Sequence, residues 1–215
     1  MKEPQIPVTR EGYPFIALAG FMTLVFAFLE YELFAISGIV LTGFVVNFFR
    51  DPERIGPDDE DVIVSPADGK IIQIEKVFDE KFLQEHAYKI SIFMSVLDVH
   101  VNRLPFAGEV ERIIYSPGSF YAANTDQAAL ENENCAIVVS TPKNFKYAVV
   151  QVAGLLARRI VCWTDKGDKL ERGARFGMIR FGSRVDVFLP QQVQIEVTSG
   201  KRVKAGETVL GYISK

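Results

Sequence analysis

Residue types that ligate metals are scarce in this chain. Its 215 residues include two histidines, His86 and His100, and two cysteines, Cys135 and Cys162, far apart and without metal-ligand spacing. No metal site and no disulfide framework are expected; the cysteines read as buried thiols of a reducing compartment. An excess of positive charge is missing too. With 24 Lys and Arg against 27 Asp and Glu, the net charge is −3, so there is no electrostatic footprint for nucleic acid. Helical periodicity is nearly absent beyond residue 50. The one candidate is a short segment over residues 125–132, with Asn124 or Thr125 as its cap.

Apolar residues make up 48% of the chain and are distributed unevenly. Residues 13–29 and 33–49 are two charge-free apolar runs of 17 residues each, separated only by Glu30, Tyr31 and Glu32. As helices each extends about 26 Å, slightly short of a hydrocarbon core of about 30 Å. A hairpin that spans twice and a wedge in one leaflet both fit this length. Lys2 and Arg10 precede the pair, Arg50 and Arg54 follow it, and the connector carries only Glu. That bias puts both ends on the cytoplasmic side of a cell membrane. Residues 1–49 therefore read as a membrane anchor, 50–61 as a polar linker rich in Asp, Glu and Pro, and 62–215 as a folded domain.

That domain reads as mainly β. Residues 70–77, 88–94, 109–115, 136–141, 147–152 and 158–163 alternate or run apolar over strand lengths, and Pro142-Lys143-Asn144 reads as a hairpin turn. Two short patterns recur. Pro66-Ala67-Asp68-Gly69 and Pro105-Phe106-Ala107-Gly108 each precede a strand. The segments from Gly167 to Gly173 and from Gly200 to Gly206 share their spacing, and each leads into a strand ending in Gly-hydrophobic-Ile. Such turns look like the barrel-sandwich plan of lipoyl and biotinyl carrier domains. No carrier lysine stands in a Met-Lys or Asp-Lys-Ala turn, so a swinging arm is not supported.

Three segments carry chemistry. Asp68 lies in the first Pro-x-x-Gly turn, where an aspartate is ordinarily solvated or bonded to its own backbone. His100 ends an apolar strand in Ser95-Val96-Leu97-Asp98-Val99-His100-Val101-Asn102-Arg103. Ser183 follows Gly182 and opens the alternating run Val185, Val187, Leu189. Gly182 leaves its carbonyl unshielded, within reach of the next hydroxyl. Taken singly, each has a bland structural reading. Together they supply a hydroxyl, an imidazole and a carboxylate, the set that activates a nucleophile. His86 matches no such motif.

These motifs, in this order, together with Phe48-Phe49-Arg50-Asp51-Pro52-Glu53-Arg54, resemble the phosphatidylserine decarboxylase proenzymes in their short bacterial or archaeal form, from about Phe48 to the C-terminus. The resemblance implies a zymogen that cleaves itself between Gly182 and Ser183 into residues 1–182 and 183–215, which stay paired as a heterodimer. It implies that Ser183 becomes a covalent pyruvoyl group, the only cofactor. This pyruvate-derived group forms a Schiff base with phosphatidylserine, which loses CO₂ to give phosphatidylethanolamine. It implies catalytic roles for Asp68, His100 and Ser183, a phospholipid partner in the membrane and no nucleic acid. Oligomerisation is left open. Longer members carry His-x-x-His where this chain has His100 and Arg103, so either His100 serves both stages or Asn102 or Arg103 shares the work. Two alternatives stand beside this reading: the same chemistry on an archaeal ether-lipid analogue, and a membrane-tethered β-sandwich adaptor without chemistry.

Overall fold

The computed structural model describes residues 7–119, 121, 131–154, 159–180 and 183–213. The chain divides into two compact units between Glu53 and Arg54. In the first, a single 3₁₀ turn, Arg10–Gly12, leads into α1 (Tyr13–Phe28), with Pro14 in its first turn. Glu30, at φ 59°, turns the chain back into α2 (Glu32–Phe48). The helices meet through small polar residues. Thr23 and Thr42 pair their hydroxyls at 3.2 Å, and a Cβ on Gly38 would collide with Thr23. Phe15 stacks on Phe49 with ring centroids 5.4 Å apart. Large apolar side chains on both helices, among them Leu18, Phe21, Ile39 and Val40, stay exposed. The 19 residues Arg10–Phe28 are long and apolar enough to cross a membrane; α2 is shorter.

The extended elements described in the second unit are all β-strands; among its described residues Glu131 is helical. Its strands are β1 (Val62–Val64), β2 (Gly69–Asp79), β3 (Glu85–Met94), β4 (Val101–Arg103), β5 (Gly108–Ser116), β6 (Asn134–Ser140) and β7 (Lys146–Ala153). They continue with β8 (Ile160–Cys162), β9 (Lys169–Leu170), β10 (Arg175–Ile179), β11 (Ser183–Pro190), β12 (Val193–Ile195), β13 (Arg202–Val203) and β14 (Val209–Ile213). The expected strands are present to within a few residues at their ends. The expected helix over 125–132 lies almost wholly outside the described residues, as does Gly182. Residues 54–61, expected as linker, are part of this unit. Arg172 binds the carbonyls of Pro57, Asp59 and Val62.

The strand order is a palindrome. One curled sheet runs β13-β2-β3-β11-β7-β6-β5-β9, flanked by two three-stranded sheets, β1-β14-β12 and β4-β10-β8. A pseudo-two-fold axis between β11 and β7 exchanges β3 with β6, β2 with β5 and β1 with β4. The recurring sequence patterns are the residues this symmetry repeats. Val64 N–H donates to the Pro105 carbonyl at 3.0 Å, and Arg103 N–H to the Pro66 carbonyl at 2.8 Å. Gly167, Gly173, Gly200 and Gly206 all have positive φ, from 74° to 94°, which glycine alone adopts without penalty.

The halves are interleaved. β4 to β10 form one of them, inserted between β3 and β11 of the other. In the inserted half β6 and β7 close as an ordinary hairpin through residues 141–145, with Ser140 opposite Lys146. The matching pair in the outer half is β3 and β11, and there the whole inserted half replaces the turn. Met94 and Ser183, opposite each other in the register, are the two ends of that insertion.

β11 lies at the centre and is buried on both faces. Val185, Val187 and Leu189 pack with Ile63, Ile92, Tyr147 and Phe176, while Phe188 packs with Ala136, Val138, Ala148 and Val150. Fully burying each of these side chains contributes about 1.5–3 kcal/mol.

Candidate active site

Ser183 is the first residue of β11, with Met94 of β3 on one side and Ala153 of β7 on the other. It shares the inward face with Val185 by the two-residue period of a strand. It is fully buried, and its hydroxyl donates to the Met94 thioether, Oγ to Sδ 3.4 Å. On the opposite face the next residue, Arg184, is also buried. Its Nε meets Asp186 at 2.5 Å and its Nη2 donates to Ser91 Oγ at 2.8 Å. This ion pair sits within an apolar layer, where a slip of the strand by one residue would carry both charges to the other face and away from Ser91.

His100 stands one residue before β4, fully buried. Its backbone carbonyl accepts from the N–H of Ile179, four residues before Ser183, so the two ends of the inserted half hold it near that serine. Its ring is set by the preceding turn. Asp98 Oδ2 accepts from both the N–H and the hydroxyl of Ser95 at 2.8 Å. That turn presents the Asp98 carbonyl to His100 Nδ1 at 2.9 Å. A carbonyl only accepts, so Nδ1 carries the hydrogen and, in the neutral ring, Nε2 carries the basic lone pair.

Asp68 lies in the turn between β1 and β2. Gly69 after it packs so tightly on β3 that a Cβ would collide with the Phe93 carbonyl. Asp68 Oδ1 accepts from Ala205 N–H at 2.7 Å, and Oδ2 from Arg54 Nη2 at 2.8 Å. Arg54 also reaches Glu207 at 3.4 Å. Burial raises the Asp68 carboxyl above the ordinary aspartate value, against the Ala205 N–H and the Arg54 charge, which lower it. All three residues thus come to one end of the curled sheet. Their bonding is not that of a linear triad: the Asp98 carbonyl fixes His100 Nδ1, while Arg54 and Ala205 hold Asp68.

Sequence reasoning gave no part to Met94, Gln151, Arg54 or Ala205. Gln151 left a signal, as the one amide inside the apolar run of β7. Its Nε2 donates to Asn102 Oδ1 at 2.8 Å, and Asn102 Nδ2 reaches Met94 Sδ at 3.7 Å. Arg103 turns elsewhere, its Nη1 donating to the Gly173 carbonyl at 3.0 Å. The two cysteines, distant in sequence, are neighbours in the fold and their titrations are linked, while Cys162 Sγ donates to the Thr164 carbonyl at 3.6 Å. Their proximity lowers the Cys162 thiol to about 7 and raises that of Cys135.

A hydroxyl, an imidazole and a carboxyl buried at one sheet end, in a β unit that follows an apolar helical hairpin in the chain, fit a β-fold enzyme better than a passive adaptor. Comparison with known proteins gives the family. A family model described as phosphatidylserine decarboxylase matches residues 41–211. A phosphatidylserine decarboxylase proenzyme of Desulfotalea psychrophila is 54% identical over 213 residues, covering 99% of this chain and all of the relative. Proenzymes of the same name from Geotalea uraniireducens and Syntrophus aciditrophicus are 49% and 50% identical, over 99% and 95% of this chain and 100% and 96% of the relatives. The chain belongs to the phosphatidylserine decarboxylase family and is an enzyme of that type. The adaptor reading is thereby set aside.

Proposed function

We propose that this chain is a self-processing zymogen which decarboxylates phosphatidylserine to phosphatidylethanolamine through a pyruvoyl group made from Ser183. The observation that carries this reading is a fully buried serine hydroxyl at the head of the central strand, held among the described residues by a thioether. A thioether is a weak acceptor and leaves the oxygen available for attack.

In processing, Ser183 Oγ bonds to the carbonyl carbon of residue 182 while its proton passes to His100 Nε2. The C–N bond then breaks, its nitrogen takes a proton, and an ester replaces the amide. Loss of the Ser183 Cα hydrogen breaks the Cβ–Oγ bond and releases residue 182 as a carboxylate. The dehydroalanine left at position 183 takes up water and loses ammonia, giving the ketone without any oxidant. Residue 183 fits the resulting group. It lies between β3 and β7 with its side chain against Met94, so the methyl group it becomes meets an apolar neighbour. The bound group supplies a ketone for the substrate amine and a sink for the electrons left by CO₂.

The chain's own residues supply the rest. His100 Nε2 holds the proton that returns to carbon. Asp68, its carboxyl raised by burial, supports that transfer from its place at the same sheet end, and Arg54 anchors it. The helical hairpin holds the site at the cytoplasmic face of the membrane, where a diacyl substrate already resides.

Intact mass of the purified protein tests this. The expected result is two species, residues 1–182 and residues 183–215, the second blocked at its N-terminus by a ketone that borohydride reduces. A single uncleaved mass from active protein, or a free serine at the start of the small chain, overturns it.

A further inference from the structure

We propose that Asn102 is a catalytic amide of the self-processing step. Its Nδ2 donates to the oxyanion that forms on the carbonyl of residue 182, and Gln151 is the positioning residue that holds it. This inference rests on Ser183 being the nucleophile.

Two buried donors converge on one sulfur. Ser183 Oγ lies 3.4 Å and Asn102 Nδ2 3.7 Å from Met94 Sδ, and none of the three residues is exposed. An amide N–H removed from water costs free energy unless a good acceptor replaces it, and a thioether is a poor one. Most of the bonding capacity of this donor is therefore unused before reaction. During attack the proton of Oγ leaves for His100, the O–C bond forms, and the carbonyl π pair moves onto oxygen. One carbon then carries both oxygens, so the negative one forms a single bond angle from Oγ, and the sulfur that Oγ and Nδ2 both contact brings the amide to the same reacting group. A donor weakly bonded in the ground state and strongly bonded to the new charge stabilises the transition state selectively. Collapse of the oxyanion returns the pair to carbon, breaks the C–N bond and ends the interaction.

The orientation of the amide is built in. Asn102 Oδ1 accepts from Gln151 Nε2 at 2.8 Å, which turns Nδ2 toward Met94. Gln151 is itself fully buried, and its Oε1 has no hydrogen-bond partner among the described residues, so holding Asn102 is its visible task. Gly177 of β10 lies opposite Asn102 and makes room for this contact. A Cβ there would stand 3.0 Å from Gln151 Nε2 and would collide with the Val161 carbonyl. Arg103, the next residue of β4, has a guanidinium nitrogen on the Gly173 carbonyl.

Cleavage is followed in the full chain during cell-free synthesis, as the fraction of small chain against time. Asn102→Ala and Asn102→Leu are expected to slow it by about 10²–10³, the usual loss for one oxyanion donor, while the melting temperature falls only by what an unpaired Gln151 amide costs. Gln151→Met slows it as well, yet adds nothing on top of Asn102→Ala. A merely structural role would leave the cleavage rate of the folded variants, read well below their melting temperatures, at the parent value. Cleavage at the parent rate in a folded Asn102 variant, or additive effects in the double variant, overturns the proposal. Should the Asn102 variants not fold, Gln151→Met alone decides, because an unchanged rate there excludes the positioning role. A parent chain that never cleaves would instead overturn the reading of Ser183 beneath it.

Discussion

At Asp68 two effects pull one proton in opposite directions. Burial favours the neutral acid, Arg54 and the Ala205 N–H favour the carboxylate, and burial prevails. A carboxyl whose folded value is raised contributes most to stability in acid, below its unfolded value near 3.8, and that contribution is lost as pH rises through the folded value. Holding the charge on Asp68 therefore costs stability once the pH has risen through that value. Asp68→Asn is expected to leave the melting temperature at pH 7 unchanged or higher while slowing self-cleavage. A clear loss of stability at pH 7 would mean that the Arg54 pair outweighs burial. For His100 the expectation is kinetic. His100→Ala removes the base and should slow cleavage by about 10²–10⁴, read as accumulation of uncleaved chain. Normal processing in that variant would pass the role of base to another residue.

At the scale of elements, β11 is bonded along its length to β3 and β7 and buried on both faces. The small chain begins with this strand and also carries β12, β13 and β14, each paired within the sheets. The two chains should therefore co-elute after cleavage and separate only in denaturant; separation in native buffer would contradict the central position of β11. Leu189→Ala, which opens a cavity in the larger core, should cost about 2–5 kcal/mol in chemical denaturation. The thiols on β6 and β8 give a second handle. Cys162, half-buried and lowered to about 7 by the neighbouring Cys135 thiol, should react with iodoacetamide with a midpoint near pH 7. Cys135→Ala should return that midpoint to the ordinary thiol range above 8. An unmoved midpoint would exclude the neighbouring thiol as its cause.

At the scale of the molecule, two units divide the work. Every residue assigned to chemistry lies beyond Arg54, and the β unit contains its own core. Removing residues 1–53 should leave a domain that folds and still cleaves itself. Turnover of phosphatidylserine in bilayers should fall sharply, and turnover of a dispersed short-chain substrate much less, because an anchored site meets its lipid without first partitioning to a surface. Equal loss on both substrates would mean that the hairpin completes the catalytic pocket. No loss on either would mean that the β unit reaches the membrane unaided.

The sequence by itself determined the elements and the family. Apolar runs without charge gave the hairpin, period-two alternation gave the strands of the large sheet, and Pro-x-x-Gly with paired glycines marked the turns that repeat. These signals are local, each written in a few consecutive residues. Ser183, His100 and Asp68 were legible as chemistry only through the order of their motifs. Only the tertiary structure decided what surrounds them. The insertion of one half into the hairpin of the other sets Met94 opposite Ser183 and brings the ends of that half to the same place. It assigned His100 Nδ1 to a backbone carbonyl and Asp68 to Arg54 and Ala205, and it joined Gln151 to Asn102 from 49 residues away. The cause is physical. Partners across a sheet are fixed by register and burial summed over the whole fold, and no window of sequence contains that sum.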